Sequence, residues 1–207
     1  MMLATDFFAL LSIELVACAV ILRVAFRATP SSAMPKTPKL AVSLLVIFLL
    51  GLWLPWGDAG LPLLAYARGV VSDFSVTSVL LSVLWIGQRM DVMPALRQAE
   101  KQMAYALLAL TAAVLYPTAL GWGDWDAYRL GWGSPSLVMG LSLLALSCFW
   151  MGLRLLPLLI AAAVMTWSLG ILESGNLWDY LIDPWIACVA IGVALRAGLS
   201  LFRRPVL

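Results

Sequence analysis

The chain contains no histidine, and only 12% of its 207 residues are charged. Without imidazole, the usual ligands for haem and zinc are missing, and so is the usual general base at neutral pH. Cysteine is scarce. Cys18, Cys148 and Cys188 each fall inside an apolar run and share no metal-ligand spacing, so they read as small buried apolar residues. The last apolar run has no lysine, which excludes a retinal Schiff base there. Nothing resembles a nucleotide loop, a nucleophile elbow or a Walker lysine, so no cofactor, metal or nucleic-acid partner is expected.

What fills the sequence instead is apolar: 63% of residues, with a mean hydropathy of +0.99. A soluble domain carries about 25% charged and about 45–50% apolar residues. Lipid, rather than water, is the expected solvent for such a surface. The length allows one compact helical bundle, a single transmembrane domain over residues 1–207.

A span needs about 20 mostly apolar residues to cross a hydrocarbon core of about 30 Å. Seven runs qualify: Phe7–Phe26, Leu40–Trp56, Val70–Ile86, Met103–Leu120, Ser136–Leu153, Leu155–Leu172 and Pro184–Phe202. The expected fold is therefore an all-α bundle of about seven transmembrane helices. Gly152, Arg154 and Pro157 divide the fifth run from the sixth by a tight hairpin. Ser134-Pro135 and Asp183-Pro184 each offer a side-chain acceptor at an N-cap and proline at the first helical position. Pro117 falls in the last turn of the fourth run. Asn176–Ile182 reads as a short amphipathic piece at the interface, and Gly87–Gln102 as a short amphipathic helix whose Arg97 and Lys101 meet anionic headgroups.

Charge sets the orientation. With the N-terminus outside and the C-terminus cytoplasmic, eleven of the thirteen Lys and Arg residues lie inside, and only Arg68 and Arg129 lie outside. The opening Met1–Asp6 carries no positive charge, while Arg23 and Arg27 stand at the far end of the first run, as in a first span rather than a cleavable signal. Trp53, Trp56, Trp122, Trp125, Trp132, Trp178 and Trp185 gather near the outer interface, as in an aromatic belt. The echo Trp56-Gly57-Asp58, Trp122-Gly123-Asp124 and Trp132-Gly133-Ser134 reads either as turns with interfacial anchors or as a shared outer platform.

A charge within a span costs about 2.5–3.5 kcal/mol on insertion scales, so each needs a reason. Glu14 is either a proton-carrying or ion-coupling carboxylate, or a neutral buried group hydrogen-bonded across the bundle. Arg68 and Asp73 open the third span. Arg68 offers a planar fork suited to phosphate or carboxylate, or else the two form an ion pair. The outer acidic set comprises Asp124 and Asp126, with Arg129, in one loop, and Glu173, Asp179 and Asp183 in another. Paired carboxylates can do acid–base work or hold a divalent cation, yet the spacing matches no metal-site pattern, and caps and solvated loop charges account for most of this set. Ala190, Ala194 and Gly198 form a small-residue stripe suited to close helix packing.

The stretch Arg68-Gly-Val-Val-Ser-Asp73-Phe-Ser-Val resembles one in the membrane domain of lipoteichoic-acid-synthase-type phosphoglycerol transferases. There an Arg, and an Asp followed by Leu-Ser, precede a long apolar run. Glu173-Ser-Gly-Asn-Leu-Trp-Asp-Tyr-Leu-Ile-Asp183-Pro is similar to the segment near that domain's end. The family's large catalytic domain, with its threonine nucleophile and metal ligands, has no counterpart in these residues. No catalytic residue is carried over. The resemblance implies at most a membrane module working beside envelope lipid or glycan chemistry.

The leading expectation is a non-catalytic subunit of the bacterial inner membrane serving envelope glycan or lipid assembly. Trp122, Asp124, Trp125, Asp126, Arg129, Trp132, Asp179 and Asp183, with Arg68 and Asp73, would meet a membrane-protein partner or a lipid-linked headgroup. The alternatives are a small transporter or channel built on Glu14, Arg68 and Asp73, and an intramembrane enzyme using outer carboxylates on a lipid phosphate. Topology is directly testable in a background lacking the native cysteines. Cysteines replacing Asp58 and Asp124 should react with an impermeant thiol reagent from outside, and those replacing Lys36 and Arg97 only after the membrane is breached. The reverse pattern would contradict the charge asymmetry.

Overall fold

A computed structural model describes residues 4–25, 45, 47–90 and 92–202. The chain is mostly helical. Helix α1 is Ala4–Ala25, and a helical stretch at 47–51 leads into a small hairpin of β1, Pro55–Trp56, and β2, Leu61–Pro62. Trp56 pairs with Leu61, and Gly57 and Gly60 take positive φ in the turn between the strands. Helices α2, Leu63–Val71, and α3, Val76–Arg89, follow. Then come α4, Gln98–Ala119; a 3-10 turn, Ala127–Gly131; α5, Pro135–Trp150; α6, Leu155–Ser168; α7, Leu177–Leu181; and α8, Pro184–Phe202. The first residues of the second expected span, 40–44 and 46, and Lys36 before it, lie outside the described residues.

The described chain forms two compact units. Unit 1 comprises residues up to Phe74 together with Val79–Ala95, and unit 2 comprises Ser75–Ser78 together with Leu96 onward. In unit 1, α1 packs on α2, and Leu10, Ile13, Leu64 and Phe74 are buried together. In unit 2, α4 packs on α8, α5 on α6, and α6 on both α4 and α7. Ala104, Leu108, Ala112 and Leu115 recur every three or four residues and are buried on α4; Ile186, Ala187 and Ala190 are buried on α8. Ala190, first of the small-residue stripe, is fully enclosed, so its methyl serves packing inside unit 2.

Three expectations are corrected here. The third span does not run unbroken from Val70 to Ile86. It stops at Val71 and restarts at Val76, with Ser72 at φ 63°, ψ −171°. That region suits glycine alone and costs a side chain about 1–3 kcal/mol. Arg68 therefore sits in the last turn of α2, and Asp73 in the break, rather than at a helix start. The second correction concerns Gly87–Gln102. Residues 92–97 are not helical, and from Gln98 the chain runs as one helix to Ala119, because Pro94 cannot supply an interior helical N–H. Third, Cys188 is exposed, whereas Cys18 and Cys148 are buried as expected.

Other local signals match the structure. The 5–6 hairpin turns at Gly152, at φ 75°, and Pro157 falls in the first turn of α6. Pro135 starts α5, although the Ser134 hydroxyl meets Ser136 rather than capping the helix. Among the described residues two helices are long and apolar enough to cross a membrane, Ala4–Val24 and Gln98–Ala119. Helices α3, α5 and α6 have 14, 16 and 14 residues. At 1.5 Å per residue they reach only about 21–24 Å.

Candidate functional site

In unit 1 the Arg68 guanidinium is shared by two carboxylates. Its Nε and Nη2 donate to Asp73 Oδ1 and Oδ2 at 2.6 and 3.0 Å, and Nη1 donates to Asp6 Oδ1 at 2.8 Å. The fork that would suit a phosphate is therefore engaged by a bidentate carboxylate, the geometry that planar guanidinium favours. Glu14 accepts a hydrogen bond from Trp53 Nε1 at 2.6 Å, so a carboxylate on α1 is tied to the segment before the hairpin. The same indole lies 5.5 Å from the Phe7 ring, measured between centroids.

In unit 2 Asp183 is the most heavily engaged of the expected site residues, and it is buried. Its Oδ1 accepts from the Trp185 and Ile186 backbone N–H groups, both at 2.9 Å, capping α8 as the Asp-Pro signature implies. Its Oδ2 accepts from Ser75 N at 2.9 Å, from Ser75 Oγ at 2.7 Å and from Ser78 Oγ. Ser75 Oγ in turn accepts from Ser78 N at 3.2 Å, the bond that caps the start of α3. A buried carboxylate holding so many donors is a structural group, not one aimed at solvent.

The α4–α5 connection and the segment before α8 are laced together. Tyr128 donates to both oxygens of Asp179, at 3.0 and 2.9 Å, and the Ser174 hydroxyl donates to the same carboxylate. Burial, reinforced by this bond, pushes the Tyr128 hydroxyl up to about 12, so it remains a protonated donor across the physiological range. Asp126 accepts from Tyr128 N at 2.9 Å and so caps the 3-10 turn. Trp178 Nε1 donates to Ala127 O at 3.0 Å. Asn176 is fully buried and satisfied: Oδ1 accepts from Trp178 N at 3.0 Å, and Nδ2 donates to Tyr128 O at 3.1 Å. Tyr180, also fully buried, donates to the Leu172 and Ser174 carbonyls and accepts from Leu172 N.

Around this network the tryptophans are left at the surface. Trp122, Trp125 and Trp132 are 74%, 57% and 63% exposed, and Asp124 and Arg129 are exposed beside them. Gly57, Gly123 and Gly133, the middle residues of the Trp-Gly echo, all take positive φ. The echo therefore marks three turns, each carrying an exposed tryptophan. Among the described residues no group of three or more His, Cys, Asp or Glu side chains is placed to hold a metal ion.

Several residues that build these clusters escaped the sequence reading: Asp6, Ser75, Ser78, Tyr128, Asn176 and Glu100. A signal existed for the serines. Ser72, Asp73, Ser75, Thr77 and Ser78 crowd one end of an otherwise apolar run, and such density marks a break. Glu100 gave no signal, because its buried setting depends on a turn more than fifty residues away.

Gly131 tests the lacing directly. A Cβ built there would lie 1.7 Å from Asn176 Oδ1, and Asn176 is pinned from both ends of its amide. Gly131→Ala should lower stability by about 1–3 kcal/mol in thermal unfolding of the detergent-solubilised protein. Gly140→Ala, where nothing lies within 4 Å, should be neutral or mildly stabilising. Equal behaviour of the two variants would show that the Asn176 contact is not formed.

Comparison with protein-family models, with curated proteins and with solved structures finds no match for this chain.

Proposed function

We propose that this is a seven-span protein of the bacterial inner membrane, a non-catalytic subunit that serves envelope glycan or lipid assembly. Its outer connections would meet a membrane-protein partner or a lipid-linked headgroup. Support for the membrane reading comes from the two long apolar helices. Only 33% and 17% of their apolar windows is buried, which does not fit the core helices of a soluble protein. Shorter apolar helices also turn large side chains outward, as at Leu143, Leu146, Leu195 and Leu199. In water such faces would be costly; in lipid they are the solvated surface.

The observation that carries the functional reading is how unit 2 uses its side chains. Asp126, Asp179 and Asp183 are engaged by internal hydrogen bonds, while Trp122, Trp125 and Trp132 are held out on an ordered loop. Carboxylates that cap helices are poorly placed for acid–base work. Exposed tryptophans on a rigid base give large contact area at low entropic cost. The likeness to the phosphoglycerol transferase membrane domain points the same way, towards a module beside envelope chemistry. The second reading, a small transporter, draws on one observation: the helix broken between α2 and α3, with Arg68 and Asp73 at the break. Broken helices line binding sites in many transporters.

Replacing Trp122, Trp125 and Trp132 together by alanine should leave membrane insertion and monodispersity intact and release a co-purifying partner. The parent and the triple variant are compared for yield, elution profile and co-purified proteins in several mild detergents. Retention of the partner by the triple variant would contradict the reading. So would a parent that purifies alone and moves or turns over a substrate, and transport would favour the second reading.

A further inference from the structure

At the end of unit 2 opposite its tryptophan loop, three cations converge on one turn. Arg97 stands at the N-cap of α4, and Lys101 lies one helical turn further on the same face. Arg154 ends the turn between α5 and α6. Buried Glu100 ties two of these segments together: its Oε1 accepts from Arg97 Nη2 at 2.9 Å and from the Arg154 backbone N–H at 3.4 Å. Arg97 Nη2 also donates to the Gly152 carbonyl, so the start of α4 and the α5–α6 turn are clamped together. One carboxylate thus neutralises one of three positive charges and leaves the group at +2. Glu100 is spent on Arg97 and a backbone amide, so Lys101 and Arg154 keep their charge for something else.

An apolar track leads to this group. On α5, Met139, Leu143, Leu146 and Trp150 are 63%, 62%, 65% and 92% exposed. Spacings of four, three and four residues place them on one face of the helix. The track runs for about 16 Å, close to the half-thickness of about 15 Å that one leaflet offers an acyl chain. It ends at Trp150, just before Gly152 and Arg154. Its fully exposed indole has the amphipathic character that suits headgroup depth.

Resting on the membrane reading proposed above, we propose that this end of unit 2 is a binding site for an anionic diacyl phospholipid. The phosphate sits among Arg97, Lys101 and Arg154, and an acyl chain lies along the α5 track. Two features separate such a site from general solvation by lipid. A buried carboxylate clamps the start of α4, which carries Arg97 and Lys101, to the turn that carries Arg154, and the apolar track ends at that turn.

The test uses the full chain, purified in mild detergent, with native mass spectrometry reading retained lipid. Phosphatidylglycerol should be retained at least tenfold better than phosphatidylcholine of the same chains. Lys101→Gln and Arg154→Gln should each weaken that retention about fivefold, and together about 25-fold, as expected for loss of one charge contact each. Lys101→Arg with Arg154→Lys should keep it, and parent-like elution of all variants shows that folding is not the cause. Glycerol phosphate, the headgroup chemistry without chains, should fail to displace the lipid at millimolar concentration. Equal retention of both lipids, or unchanged retention in the double Gln variant, would overturn the proposal. Displacement by glycerol phosphate would overturn the role of the α5 track. Alkaline carbonate extraction separates the two layers of the argument. A chain that stays in the membrane yet shows no lipid preference loses only this site; a chain that extracts freely loses the membrane reading itself.

Discussion

The carboxylate of Asp183 sits where two helix beginnings meet, and its two oxygens divide the work. Oδ1 takes the first free N–H groups of α8, and Oδ2 takes the backbone and hydroxyl donors of Ser75 together with the Ser78 hydroxyl at the start of α3. Each helix start carries unsatisfied N–H groups and a partial positive charge. In a mostly apolar chain water cannot be relied on to satisfy them, so the protein must. A single buried anion placed between two such starts answers both needs. It also gives Ser75 and Ser78, in the polar run that opens α3, their partner. The strain at Ser72 is held in the same stretch, between Asp73 on Arg68 and Ser75 on Asp183.

The same economy of polar groups recurs elsewhere. Glu100 closes the turn between α5 and α6 onto the start of α4, Asp179 gathers Tyr128 and Ser174, and Asn176 fits against Gly131 so closely that a Cβ there would have to displace it. These are groups whose removal would leave buried partners unpaired, the costly kind of loss. The described surface is of a different chemical kind, with exposed tryptophans and apolar helix faces, and with cations at the end opposite the tryptophan loop. That contrast, between polar groups turned inward and aromatic groups turned outward, underlies the proposal of a contact-making rather than a reactive protein.

Much of the helical plan was legible in the sequence, because apolar run length and proline position are local properties. α1, α4, α5, α6 and α8 all fall within a few residues of the runs that announced them. The Asp183 cap was legible for the same reason, since Asp-Pro before an apolar run is a local signature. Its second half was not, because Ser75 and Ser78 stand more than a hundred residues away in the chain. The break at Ser72 was hidden by averaging. A hydropathy window treats Val70–Ile86 as one run, although five polar residues crowd its first half. Arg68 was expected beside Asp73, and it is; its second partner, Asp6, comes from a helix that nothing local connects to it. The acidic set was expected to serve mostly as caps and solvated loop charges, and Asp126 caps the 3-10 turn and Asp183 caps α8; the bonds of Asp179 to Tyr128 and Ser174 had no local signal.

Asp183 joins the start of α8 to the start of α3, and a double-mutant cycle measures that coupling directly. The parent, Asp183→Ala, Ser78→Ala and the double variant would be compared by unfolding free energy in a denaturing-detergent titration. A shared hydrogen bond to a buried carboxylate predicts a coupling of about 1.5–3 kcal/mol, with the double variant little worse than Asp183→Ala alone. Strict additivity of the two single losses would contradict the account.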